Sequence, residues 1–126
     1  MPRIFSYNEF LTGSNEVIKY ADKHSPVIIC NSAAQRNKPF KVGVRIGSNV
    51  KHPNTIEHHF EYVQLWSLET LLGEFKLVQG SFGSDPIHIE CEFIVLPKVS
   101  LRLTALAYCN KHGLWRSEET FVQVND

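Results

Sequence analysis

The sequence predicts an all-β protein, a seven-stranded antiparallel immunoglobulin-like β-sandwich with a short N-terminal extension. Short segments in which apolar and polar residues alternate recur along most of the chain, and this alternation is typical of half-buried strands. Glycine, proline and asparagine mark turns between these segments. Because the chain has 126 residues, both observations fit one domain with a single core.

The N-terminal extension covers residues 1–22, and the β-sandwich domain covers residues 23–126. The extension has mixed polarity without a clean period. Gly13-Ser14-Asn15 predicts a turn there, and we expect a short helix over residues 16–21.

The predicted strands follow one another along the domain, over residues 26–30, 40–46, 60–66, 75–77, 87–95, 101–109 and 120–124. The clearest is 87–95, which lies between the turn signals Gly80, Gly83 and Asp85-Pro86 and the terminating Pro97. In the strand over residues 101–109, the alternation predicts that the sulfur of Cys109 points toward the core.

The overall charge and the cysteine usage exclude several classes of protein. Thirteen basic residues balance thirteen acidic ones, so neither nucleic acid nor an anionic membrane is expected as the main partner. No apolar run has the length of a membrane span, and the start of the chain lacks a secretory signal, which predicts a cytoplasmic protein. Three widely spaced cysteines, with no Cys-x-x-Cys pair, argue against a disulfide framework and against a four-cysteine metal site.

Three dense clusters of polar residues lie at strand ends or in loops. Histidine and cysteine are the strongest side-chain ligands for borderline transition metals, and a Cys-x-x-His turn can direct both side chains at one ion. Loops at one end of a rigid sandwich are also where binding residues gather. Metal binding is therefore the function predicted for the clusters Asp22-Lys23-His24-Ser25-Pro26, His52-Pro53-Asn54-Thr55-Ile56-Glu57-His58-His59 and Cys109-Asn110-Lys111-His112-Gly113.

From about Asp22 to the end, the sequence resembles the superoxide reductases, the neelaredoxin and desulfoferrodoxin group. The resemblance rests on Lys-His-x-Pro, His-Pro-Asn-x-x-Glu-His-His and Cys-Asn-x-His-Gly-Leu-Trp, in this order. It implies one iron with a cysteine thiolate, that of Cys109, in an axial position. It further implies that four histidines form a plane around the iron, and these are His24, His52, His58 and His112.

The resemblance also implies an activity, the one-electron reduction of superoxide to hydrogen peroxide. Lys23 matches a family lysine beside the open iron position, where it attracts superoxide and organises a proton donor. Asp22 replaces a family glutamate that can bind oxidised iron, and its side chain is one methylene shorter. We therefore assign both residues to the catalytic site, Asp22 as the carboxylate beside the metal.

Members of the group with an additional four-cysteine domain carry a second iron, and the sequence has no such domain, so we expect the one-iron type. Its electron donor is then external. The resemblance implies a rubredoxin-like donor and a homo-oligomer, either a tetramer or a dimer.

Other interpretations of the metal-binding pattern remain open from the residues alone. A cupredoxin is also a β-sandwich with a late Cys-x-x-His, but its copper usually takes an axial methionine near that histidine, and the only methionine here is Met1. A structural zinc site would leave ligands unused. A non-enzymatic immunoglobulin-like interaction module would leave the histidines without a metal. We expect structural or surface roles for His59 and His88, and burial as small apolar residues for Cys30 and Cys91.

Overall fold

The computed structural model describes residues 2–78 and 82–126, so the turn signal at Gly80 lies outside the described residues. The described part holds ten strands, one α-helix and a 3-10 helix at Tyr7–Phe10. In chain order the other elements are β1 (Ile4–Ser6), α1 (Asn15–His24), β2 (Pro26–Ile29), β3 (Ala33–Gln35), β4 (Phe40–Ile46), β5 (Phe60–Ser67), β6 (Thr70–Lys76), β7 (Glu90–Val95), β8 (Leu101–Cys109), β9 (Gly113–Arg116) and β10 (Thr120–Asn125).

The strands form two sheets whose inner faces enclose one apolar core. In the smaller sheet, β4 lies between β2 and β7, and both pairings are antiparallel. In the larger sheet, β5 follows one edge of β8, while β10 and β9 share the other edge. The predicted all-β sandwich is therefore confirmed.

Strand β8 places Cys109, one of the predicted metal ligands, at the end of the core. Every second residue from Leu101 to Cys109 is buried, as expected for a strand with one face in the core. The Cys109 side chain is fully buried, so the prediction that its sulfur points inward is confirmed.

Three of the ten strands were not predicted, and these are β1, β3 and β9. Each has three or four residues, too few to show an alternating pattern. Strand β1 pairs with β9 and β3 pairs with β10, both in parallel. These parallel pairs depart from the purely antiparallel arrangement that we expected, and β1 joins the N-terminal segment to the larger sheet.

Helix α1 is longer than predicted and ends at His24, one of the predicted metal ligands. It begins after Ser14, whose side chain accepts a hydrogen bond from the N–H of Val17. It continues to His24, because Ala21, Asp22 and His24 are buried against the sandwich, and Pro26 follows. No helix among the described residues is both long enough and apolar enough to cross a membrane.

Candidate metal centre

Four of the five predicted ligands form one group at the end of the sandwich. The ligand atoms of His24, His52, His58 and Cys109 all lie within 4.8 Å of one another. His24 ends α1, Cys109 ends β8, and His52 and His58 lie in the connection between β4 and β5. Residues far apart in the sequence thus converge on a volume that fits one metal ion.

The fifth predicted ligand, His112, lies beside this group. Its Nδ1 is 3.1 Å from Nε2 of His58, and its ring centroid is 4.8 Å from the rings of both His24 and His58. Two ligand atoms at right angles around an ion, each roughly 2.1 Å from it, are about 3.0 Å apart. The spacing of these nitrogens therefore suits two adjacent ligands of one ion.

His24 provides the test of whether this group suits a metal. Its Nδ1–H donates to the carbonyl oxygen of Tyr20 at 2.7 Å, which leaves Nε2 as the unprotonated nitrogen. That Nε2 is the one buried side-chain nitrogen or oxygen in the described ranges without a hydrogen-bond partner. Because buried polar atoms are normally paired, a metal ion in the cluster accounts for this unpaired nitrogen.

His52 is held by its backbone as well as by its ring. Its N–H and carbonyl pair with those of Ile87, which attaches the loop to the segment before β7. Its Nδ1–H donates to the carbonyl of Pro53 at 2.6 Å, and its Nε2 lies 3.5 Å from the Cys109 sulfur. The tautomer of His52 is thereby fixed with Nε2 facing the cluster.

Burial keeps the histidines neutral, the form that binds metal. Desolvation lowers the pKa of His24 and of His58 to about 4, and that of His52 to about 3. It also lowers the pKa of His112. The mutual repulsion of the histidines and the charge of Lys23 act in the same direction. A neutral, deprotonated set of imidazoles is thus available over the physiological pH range.

The Cys109 sulfur accepts hydrogen bonds from two backbone N–H groups that the sequence did not identify. Burial raises the pKa of the thiol, whereas hydrogen bonds from the backbone N–H groups of Lys111 and His112 lower it. Both amides belong to the turn that follows β8. Amides that donate to a metal-bound sulfur adjust the electron density that the sulfur gives to the metal.

Lys23 directly precedes the proposed ligand His24, and its positive charge acts on the whole cluster. Its charge lowers the pKa of all four clustered or adjacent histidines and of the Cys109 thiol. No carboxylate lies within 4 Å of its ammonium in the part of the chain that the structure describes. The position is consistent with the predicted steering role, which stays a prediction.

Asp22 is bonded to the protein backbone. Its buried carboxylate accepts hydrogen bonds from the N–H groups of Ser48, Asn49 and Val50, at 3.2, 3.0 and 2.8 Å. Its assignment to the catalytic site is not tested by this arrangement and stays a prediction.

Asn110 joins the two loops of the centre, a role that sequence reasoning missed. Its Oδ1 accepts from the N–H of His59 at 2.8 Å, and its Nδ2 donates to the carbonyl of Glu57 at 3.0 Å. The position of Asn110 inside Cys-Asn-x-His could have indicated this role, because a short amide side chain can form hydrogen bonds with nearby backbone groups.

His59 and His88 lie outside the cluster, as predicted. The Nδ1 of His59 is 3.0 Å from the carbonyl oxygen of Thr55, and that of His88 is 3.2 Å from the carbonyl oxygen of Ile46. Both rings are thus bonded to backbone.

An aromatic group supports the centre from the N-terminal side. The fully buried Trp115 stacks on His24, with ring centroids 5.2 Å apart, and donates its indole N–H to the carbonyl of His112. Phe5 and Phe10 pack against Trp115 at 5.2 and 5.4 Å. The N-terminal segment thus contacts the ring that holds His24 in place.

The centre is closed toward the core and open toward solvent. His24, His52 and Cys109 are fully buried, whereas His58 and His112 are half-buried. A small molecule therefore approaches the metal from the side of His58 and His112.

Comparisons with known proteins agree with this geometry. The family model described as Desulfoferrodoxin matches residues 16–118. The superoxide reductase of Thermococcus kodakarensis is 36% identical over 104 residues, which cover 79% of this chain and 87% of that protein. The superoxide reductase of Pyrococcus furiosus is 36% identical over 115 residues, which cover 79% of this chain and 88% of that protein. The solved structure of superoxide reductase (neelaredoxin) from Ignicoccus hospitalis has a TM-score of 0.76 at 25% identity. The match covers 97% of this chain and 95% of that one.

The fold and the site together define a β-sandwich metalloprotein with a mixed histidine and cysteine centre. The family match and the relatives do not favour a cupredoxin. The chain belongs to the desulfoferrodoxin family.

Proposed function

We propose that this protein is a superoxide reductase that converts superoxide to hydrogen peroxide at one iron. The observation that carries the proposal is the buried, unpaired Nε2 of His24 inside a group of neutral imidazoles and one thiol. The relatives named superoxide reductase support the same activity. The proposed ligands are His24, His52, His58, His112 and Cys109.

The ligand set defines the charge that meets the substrate. When bound, ferrous iron supplies one electron to each superoxide, and two protons complete hydrogen peroxide. Four neutral imidazoles and one thiolate leave a ferrous centre with a net charge of about +1, which attracts an anion. The half-buried rings of His58 and His112 leave that charge open to solvent.

The protein side chains then favour the reaction in two ways. Cys109 gives electron density from the buried side, under the control of the amides of Lys111 and His112. Lys23 adds a positive charge near the cluster, so we propose that it draws superoxide in and orders a water that donates a proton.

The oxidised enzyme must be reduced again by an external donor. We propose a rubredoxin-like protein for this step, and the exposed Lys111 beside His112 offers a charge for docking an acidic partner. We further propose that the protein works in the cytoplasm as a homo-oligomer, a tetramer or a dimer. Three free cysteines suit a reducing compartment.

The test of this function is a count of products. Reduced, iron-loaded protein is mixed with superoxide under anaerobic conditions, while hydrogen peroxide and dioxygen are measured. Iron-free protein is the control, because superoxide dismutates spontaneously to hydrogen peroxide and dioxygen. Above that background, we expect one hydrogen peroxide for each iron oxidised and no additional dioxygen. Additional dioxygen would identify a dismutase, and an absence of reaction would overturn the proposal.

A further inference from the structure

Three consecutive peptide N–H groups converge on the carboxylate of Asp22. Ser48 donates to Oδ1, while Asn49 and Val50 donate to Oδ2. Successive backbone N–H groups of this kind form a concave site for an anion, and here the anion belongs to the protein itself. The Asp22 side chain is buried, and these three donors satisfy its oxygens.

The same junction is closed from its other side by Gly47. Its N–H donates to the carbonyl of Ser25 at 3.0 Å, one residue beyond α1. Gly47 has a φ of +79°, and a Cβ added there would lie 2.5 Å from the carbonyl oxygen of Val50. The loop after β4 is thus packed closely on the end of α1, with room for glycine alone.

These bonds connect two segments that each carry a metal-binding histidine. Asp22 lies two residues before His24, and Val50 lies two residues before His52. The rings of His24 and His52 meet with centroids 4.7 Å apart. Asp22 thus bonds the helix end that carries His24 to the loop that carries His52.

We propose that Asp22 is a positioning residue that fixes the helix end to the loop after β4, and so sets His24 against His52. The proposal rests on the iron centre proposed above. It differs from the family expectation, in which the equivalent carboxylate contacts oxidised iron. In the structure, three backbone amides engage the Asp22 carboxylate.

The experiment compares Asp22→Ala and Asp22→Asn with Ser100→Ala. Ser100 Oγ likewise accepts a backbone N–H, that of Val124, but it lies at the opposite end of β8 from Cys109. Ferrous iron affinity is measured by competition with a chelator, and the ferric absorption spectrum is recorded across pH. Thermal unfolding of the iron-free proteins reports general stability.

Loss of a group that orients a ligand typically lowers metal affinity by about 10- to 100-fold. We expect Asp22→Ala to lose iron affinity in that range and Ser100→Ala to retain it. Asp22→Asn keeps one acceptor oxygen, so its loss should be smaller. The ferric band should keep its position and its pH dependence in all three variants, because Asp22 is not a ligand.

Two outcomes would overturn the proposal. A ferric band that moves in Asp22→Ala would show that the carboxylate binds iron. A loss of affinity no greater than in Ser100→Ala would reduce Asp22 to a contribution to general stability. Failure of the native protein to reduce superoxide would overturn the proposed activity instead, and would leave these affinities unaffected.

Discussion

At the scale of single residues, the metal centre is prepared by hydrogen bonds made on its outer side. The backbone carbonyls of Tyr20 and Pro53 accept hydrogen bonds from the Nδ1–H groups of His24 and His52, so both Nε2 atoms face the cluster unprotonated. Burial then excludes the charged form. The histidines are therefore fixed in orientation and in protonation before a metal binds.

Replacing Cys109 with serine should abolish the blue thiolate-to-iron absorption of the oxidised protein. The sulfur is the one soft ligand in the group, and a hydroxyl gives far less electron density to iron. The visible spectrum of oxidised Cys109→Ser tests this directly. Cys91→Ser serves as the control, since Cys91 lies in β7 outside the cluster. A blue Cys109→Ser protein would remove Cys109 from the centre.

Lys23→Ala should keep its iron but react several-fold more slowly with superoxide. The lysine charge is close to all the proposed ligands, and an exposed positive field raises the encounter rate of an anion most strongly at low salt. Stopped-flow rates over a series of ionic strengths would show a weaker salt dependence in the variant. Lys41→Ala is the control, because Lys41 is exposed in β4, remote in sequence from the clusters. Rates equal to those of the native protein would discard the steering role.

At the scale of elements, the alternating strands were predictable and their irregularities were not. Strand β4 buries alternate side chains from Phe40 to Ile46, as the pattern indicated. In β5 a shift in register between Phe60 and Tyr62 changes the buried face, so that Val63 and Leu65 point into the core. Such a bulge depends on the partner strand, which a single sequence does not show.

The end of α1 shows a second limit of sequence reasoning. The helix was expected to end at Ala21, whereas it ends at His24. The helix continues because Asp22 and His24 are buried by partners from distant loops. For the site, the motifs indicated which side chains meet. The hydrogen bonds of Asn110 and Asp22 were not predictable, because their partners are backbone groups of loops distant in the sequence.

Gly47→Ala should destabilise the protein more than Gly83→Ala. Both glycines have φ near +80°, so both substitutions carry the strain of a left-handed conformation, roughly 1–2 kcal/mol. At Gly47 the new Cβ also meets the carbonyl oxygen of Val50 at 2.5 Å, whereas nothing lies within 4 Å at Gly83. Denaturant unfolding of both variants gives the comparison. Equal losses of unfolding free energy would show that the loop adjusts freely.

At the scale of the whole molecule, the sandwich encloses the sulfur and exposes the side that receives substrate. Since positive and negative charges balance over the chain, the attraction of an anion depends on the local charge of the centre and of Lys23. The core and the site share the end of β8, so folding and the formation of the centre are energetically coupled.

Iron-free protein should lose stability as the pH falls from about 6.5 toward 4. The folded-state pKa values of His24 and His52, about 4 and about 3, lie below the unfolded value of 6.5. In this range the unfolded chain binds more protons, so each histidine removes about 1.4 kcal/mol of unfolding free energy per pH unit. Denaturant midpoints at several pH values test this. In His52→Gln, the change in unfolding free energy per pH unit should be smaller by about that amount. An unchanged pH dependence would contradict the lowered pKa of His52.

Phe5 and Phe10 pack on Trp115, and Trp115 stacks on His24. We therefore expect detachment of the N-terminal segment to be coupled to loosening of the centre. A metal ion that binds only the folded centre then stabilises the attached N-terminal segment as well. Limited proteolysis within the first ten residues should therefore be slower when iron is loaded than when it is removed. Mass spectrometry of the fragments would measure this, and equal rates would show that the two regions open independently.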